Sequence, residues 1–283
     1  PAPEPSAPDD VVYVYNGYAA KTDAAFDAAS LDRAAYRFQH LYDLYFTGRT
    51  VYLAVVPDKA LFTVPPEGYT PAGAAETADC LCGALDFLTP VDIAAGLTLA
   101  DYYRTDPHWR QERLRPTADA LLTAMGAPVS GTRDETLCAL EGDFHGSYWG
   151  KTEEPLEPDT LAYLTSPVLE SCTVHSYETD TDGGVYDFAA AQDAPYDLFL
   201  SGSRSLLRID SPQALSDRTL VVFRDSFGSS LIPLLAESYR TVYAVDIRYL
   251  SSDLLGRFVD FPADADVLLL YSTTVLHNSI TLK

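Results

Sequence analysis

The sequence predicts an open α/β fold built on a parallel sheet. Five short apolar runs do not alternate with polar residues, amphipathic helical patterns lie between them, and strand and helix alternate strictly toward the carboxyl end. The runs are VVYVYNG (11–17), VYLAVVP (51–57), LVVFRDS (220–226), VYAVDI (242–247) and VLLLYS (267–272). Unbroken β-branched and aromatic stretches of this length suit strands covered on both faces. Helices are predicted over 31–46, 109–125 ending at Gly126, and 229–239. The last two βαβ units put a ligand site beyond the carboxyl ends of the strands.

The stretch 131–210 is less regular. Its cluster GDFHGSYWGKTEEP (142–155), rich in glycine, aromatics and charge, reads as a functional loop or small insertion. The first ten residues, PAPEPSAPDD, have the composition of a stiff extended linker. With no internal repeat and no second linker, residues 11–283 are expected to form a single domain. A linker of this kind commonly follows a signal peptide or a membrane anchor, so an extracytoplasmic location is expected, secreted or tethered.

With 19 Lys and Arg against 41 Asp and Glu, the net charge is −22. Such a chain repels a phosphate backbone, which argues against nucleic acid and anionic membranes as partners. Cys80, Cys82, Cys138 and Cys172 lack zinc-site spacing, and no metal is expected. Disulfides and buried free thiols both stay open.

Two segments are able to carry chemistry. In RTLVVFRDSFGSSLIPLL (218–235) a buried strand turns through Asp225 and Ser226 into a helix, where backbone N–H groups can stabilise an oxyanion. By spacing alone, a helix cap is the commoner job for Ser226. In YYRTDPHWRQERLRP (102–116), Asp106 and His108 stand two apart, as a carboxylate and the imidazole it orients would. The plainer reading makes Asp106 an N-cap with Pro107 at the first helical position, and leaves Trp109 unexplained. His40, His145, His175 and His277 are scattered singly, and His145 alone is kept as a residue able to line a cleft.

Read together, TDPHW (105–109), VVPDKALF (55–62), RDSFGSSLIPLL (224–235) and AVDIRY (244–249) resemble the DHHW family of bacterial surface proteins. They are also similar to the acyl-transfer proteins of alginate O-acetylation, and the likeness runs from Val11 over nearly the whole chain. It implies a three-layer α/β/α, SGNH-hydrolase-like (flavodoxin-like) domain with Ser226 as nucleophile, His108 as general base and then acid, and Asp106 orienting His108. Asp225 would shape the turn. Gly202, Ser203, Trp109, Arg248 and Tyr249 are implied as oxyanion or substrate-binding residues, although Arg248 also reads as an ion-pair partner of Asp246.

Two positions depart from the family pattern. Pro107 replaces the first histidine of the D-H-H-W block, and FLSGSRSLLRI (199–209) has Gly202, Ser203 and Arg204 where relatives carry a Gly-Gly-Asn-type turn. Ser203 is the available substitute donor.

The implied activity is that of a serine-dependent O-acetyltransferase or acetylesterase, needing no cofactor. It would act on O-acyl, chiefly O-acetyl, groups of a cell-surface polysaccharide, with a membrane-bound protein as acyl donor. The alternative is a non-catalytic carbohydrate-binding or scaffold protein of the same envelope system. A lipase ranks last, because Ser229 and Ser230 make the serine's neighbourhood polar.

Overall fold

The computed structural model describes residues 10–283, so the linker expected over 1–10 lies, but for Asp10, outside the described residues. Strands are β1 (Val12–Tyr15), β2 (Tyr18–Lys21), β3 (Val51–Val56), β4 (Leu88–Pro90), β5 (Thr136–Ala139), β6 (Ala162–Thr165), β7 (Thr173–Ser176), β8 (Thr181–Gly183), β9 (Leu206–Asp210), β10 (Thr219–Arg224), β11 (Thr241–Val245) and β12 (Asp266–Ser272). Helices are α1 (Ala28–Tyr45), α2 (Ala74–Ala84), α3 (Arg115–Ala124), α4 (Pro167–Ser171), α5 (Phe227–Ala236) and α6 (Thr273–Leu276).

The main sheet has eight strands in the order β4-β3-β12-β10-β11-β9-β7-β8. From β4 to β11 neighbours are parallel, and β9, β7 and β8 extend the sheet with antiparallel pairings. Counted from β10 and continuing through β3 and β4, the parallel part follows the flavodoxin-like order 2-1-3-4-5. The order reverses beside β10, so the crevice at the switch point opens where β10 and β12 end.

Alternate side chains of the central strands feed two cores. Leu220, Val222, Leu268, Leu270, Ala54 and Val56 face α3 and α5. Val221, Phe223, Val267, Leu269, Leu53 and Val55 face α1 and α2. Burial on both faces is why these runs are apolar throughout. Every residue of α5 is buried, which explains a helix without a polar face beside the site.

Three sequence expectations shift. The run 11–17 does not join the main sheet. Asn16 and Gly17 adopt positive φ (50° and 78°) and turn it into the β1-β2 hairpin. The helix expected from Trp109 begins only at Arg115, after a single 3-10 turn at Gln111–Arg113. Pro116 enforces this, since it lacks an N–H and its ring would clash with the carbonyl four residues earlier. The irregular stretch contributes β5 and β6 as a separate pair and lends β7, β8 and β9 to the main sheet.

Leu268 lies on a central strand with no exposed surface. Leu268→Ala should cost about 2–5 kcal/mol, read as a lowered midpoint with an unchanged slope in urea unfolding.

Candidate active site

β10 ends at Arg224, and the next two residues divide the work of the turn. Asp225 is fully buried, and its carboxylate accepts from the N–H of Phe227 (3.0 Å) and of Ser272 (2.7 Å). It thereby caps α5 and ties the end of β10 to that of β12. Ser226 occupies the N-cap position with helical backbone angles and no side-chain cap bond, so its hydroxyl is free for another partner. Gly228 follows because a Cβ there would lie 2.7 Å from Arg224 Cβ.

That partner is His108, whose Nε2 lies 2.7 Å from Ser226 Oγ. Its Nδ1 lies 2.6 Å from Asp106 Oδ1. An ionised carboxylate only accepts hydrogen bonds, so Nδ1 carries the proton and the Nε2 of the neutral ring accepts from the serine hydroxyl. The imidazole is stacked on Tyr196 (centroids 4.0 Å apart, 15° between planes) and borders Phe227. Tyr196 in turn bonds Ser230 Oγ at 3.1 Å.

Asp106 is 5% exposed. Burial by itself would raise its carboxyl, but the charge and hydrogen bond of His108, with the N–H groups of Ser147 and His108, bring it down to about 2. Ser147 N–H donates to Oδ2 at 2.9 Å.

The backbone around Asp106 is clamped from three directions. The buried Lys59 ammonium donates to the carbonyls of Tyr103 and Asp106, both at 2.8 Å. Burial pulls this amine down to about 8 against the opposing charges of Asp106, Asp58 and Asp159. Asp159 accepts from the N–H of Arg104 (2.8 Å) and of Thr105 (2.7 Å) and from the Thr105 hydroxyl (2.7 Å). From the third side, the N–H of Gly146 donates to Thr105 Oγ1 and that of Tyr148 to Thr105 O. A Cβ on Gly146 would lie 2.3 Å from Asp106 Cβ, so only glycine lets the two backbones meet.

On the opposite side of the serine, Arg224 is fully buried. Its guanidinium donates to Gly202 O (3.2 Å), Arg204 O (3.4 Å) and Ser229 Oγ (2.9 Å), pinning the 202–204 turn beside the end of β10. Among the described residues, the N–H groups of Ser226 and Ser203 and the exposed Ser203 hydroxyl have no hydrogen-bond partner.

Three expected substrate-binding residues, Trp109, Gly202 and Arg248, have other work. Trp109 has no exposed surface; its indole N–H, 3.0 Å from both Phe227 O and Ser230 Oγ, fastens the first turn of α5. Gly202 spends its N–H on Phe199 O and its carbonyl on Arg224, and its φ of +72° and the carboxylate of Asp197 leave no room for a Cβ. Asp106 is no N-cap. Arg248 grips the buried Asp246 through two bonds, 2.9 and 2.7 Å, and half-exposed Tyr249 stacks on its guanidinium. The four cysteines are free thiols.

Lys59 and Arg224 stood in the sequence only within motifs that carry the resemblance, and Asp159 and Tyr196 carried no functional signal. The usable hints were a lysine just after a buried strand and Gly146 within an aromatic loop.

The ordinary value for the Asp106 carboxyl is 3.8, so its depression to about 2 stabilises the fold above about pH 4 and is lost as pH falls toward 2. Wild type should exceed Asp106→Asn by about 2 kcal/mol at neutral pH in urea unfolding, the gap closing between about pH 4 and pH 2. Gly146→Ala should lower stability by about 1–3 kcal/mol and slow any reaction of Ser226, measured by denaturation and by active-site labelling.

No protein-family model matches the chain, and no curated protein sequence matches it. Solved structures do. A DHHW family protein from Eubacterium siraeum is similar with a TM-score of 0.72 at 22% identity, over 96% of this chain and 95% of that one. Bacillus cereus PatB1, solved with a sulfonyl adduct, gives 0.69 at 18% identity over 95% and 97%. The O-acetyltransferase domain of Pseudomonas putida AlgJ gives 0.54 at 15% identity over 95% and 92%. Over nearly its whole length, the chain shares its α/β fold with these proteins.

Proposed function

We propose that this chain is a serine-dependent acyl-transfer enzyme, an O-acetyltransferase or acetylesterase acting on O-acyl groups of a cell-surface polysaccharide. The observation that carries the reading is the unbroken relay from Asp106 through His108 to Ser226, with links of 2.6 and 2.7 Å. Ser226 Oγ attacks the acyl carbonyl as His108 Nε2 takes its proton, while Asp106 holds the imidazolium that forms. In this reading the unpaired N–H of Ser226 and a donor from Ser203 stabilise the developing oxyanion. His108 then returns the proton to the departing oxygen, leaving an acyl-serine. A sugar hydroxyl or water, deprotonated by the same imidazole, resolves it.

The O-acetyltransferase domain of AlgJ, on the same fold, supports O-acetyl transfer as the kind of chemistry. In this reading the enzyme works outside the cytoplasm, with a membrane-bound protein supplying acyl groups and no cofactor. A second reading, a non-catalytic glycan-binding or scaffold protein, is favoured by one observation: a short serine, Ser203, stands in the turn where a longer amide donor is expected. Losing one oxyanion donor costs about 3 kcal/mol of transition-state stabilisation.

Intact-protein mass spectrometry after incubation with a small activated acetyl ester separates the two readings. Wild type should gain one acetyl, Ser226→Ala none, and His108→Ala should acylate about 10²- to 10⁴-fold more slowly. Wild type that stays unmodified, with acid release no faster than in Ser226→Ala, would favour the scaffold. Ser203→Ala should slow acylation by up to about 10²-fold, and an unchanged rate would remove Ser203 from the oxyanion site.

A further inference from the structure

The loop that clamps Asp106 also carries an exposed aromatic pair. The rings of His145 and Trp149 are stacked, with centroids 4.1 Å apart and planes 22° from parallel, and both residues are exposed. The loop is fixed: Trp149 N–H bonds Gly146 O, Lys151 N–H bonds Tyr148 O, and Gly150 turns the chain at a φ of +70°. Single exposed aromatics are common on protein surfaces. This pair differs in standing next to Gly146, whose backbone touches Asp106, and in being held by the bonds that hold that carboxylate. Among the described residues, the indole N–H of Trp149 and the ring nitrogens of His145 have no hydrogen-bond partner.

We propose that Trp149 and His145 form a stacking platform for a pyranose ring of the glycan acceptor, a reading that rests on the acyl-transfer function above. The apolar C–H face of a sugar covers an indole, and the free nitrogens at the edges meet its hydroxyls. The surrounding charge selects the sugar. Glu141, Asp143, Glu153, Glu154 and Glu157 are all exposed on this segment, against Lys151 alone. Of the other cations near the site, Lys59 and Arg224 are buried and bonded to backbone carbonyls, Arg110 is paired with Glu112, and the exposed Arg104 lies over the Tyr18 ring. A uronic acid would therefore be repelled, and the acceptor is an uncharged sugar.

The chain contains two tryptophans, and Trp109 is fully buried, so a ligand-dependent change in emission reports Trp149. Neutral pentasaccharides of glucose, N-acetylglucosamine and mannose would be titrated to about 10 mM, against a uronic-acid pentamer of the same length. At least one neutral probe should change the emission saturably and the uronate should not. Trp149→Ala should abolish the change and Trp149→Phe should retain most of the binding, measured by calorimetry. In acyl transfer from a small acetyl ester to the same neutral pentamer, Trp149→Ala should raise KM for the sugar roughly five- to tenfold.

Silence toward every neutral probe, a uronate bound as tightly as the best of them, or an unchanged sugar KM in Trp149→Ala would each overturn the platform. Failure of the acyl-transfer reading looks different: wild type then forms no acetyl-serine while the neutral sugar still changes Trp149 emission.

Discussion

Removing a carboxylate from water costs several kcal/mol unless hydrogen bonds and a counter-charge replace the lost solvation, and Asp106 is buried in this way. Its two oxygens are both occupied, one by His108 and the other by the backbone of the 142–155 loop. The compensation extends outward, because each donor must itself be held in place. Lys59 grips the carbonyls of Tyr103 and of Asp106 itself, and Asp159 takes up the N–H groups of Arg104 and Thr105. Two buried carboxylates thus flank a short segment whose carbonyls meet a buried ammonium. The opposing charges lower the solvation penalty of each member.

The serine is positioned by a separate apparatus. Asp225 satisfies the first turn of α5 so that Ser226 need not, and Trp109 and Tyr196 tie that turn to the histidine segment. Arg224 reaches back from the strand end to the 202–204 turn. The two halves meet across the Ser226–His108 bond between residues 118 positions apart. Relative placement is thereby left to rigid packed elements, the arrangement that precise geometry requires.

Much of the fold was legible because burial on both faces writes itself into composition. Runs such as VLLLYS cannot be half-exposed strands, and four of the five became parallel strands of the main sheet. The fifth, 11–17, has the same texture but ends in Asn-Gly, and local turn chemistry made it a hairpin. The helix expected from Trp109 failed for an equally local reason, Pro116. The antiparallel extension of β7, β8 and β9 was hidden, because strands of three to five residues are too short for periodicity to separate from loop.

By itself the sequence determined the α/β class and the acidic surface, since composition and short-range order suffice for these, and its resemblance to the DHHW family pointed to Asp106, His108 and Ser226. Spacing alone would have made Ser226 and Asp106 helix caps; both positions use the same oxygen atoms, and only the tertiary arrangement decides whom they bond. It also decided that Trp109 is a buried brace, that Lys59 and Asp159 clamp the Asp106 segment, and that Gly146 brings a distant aromatic loop against it. Those outcomes depend on contacts between residues 40 or more positions apart, and such contacts leave no periodic signature in a single chain.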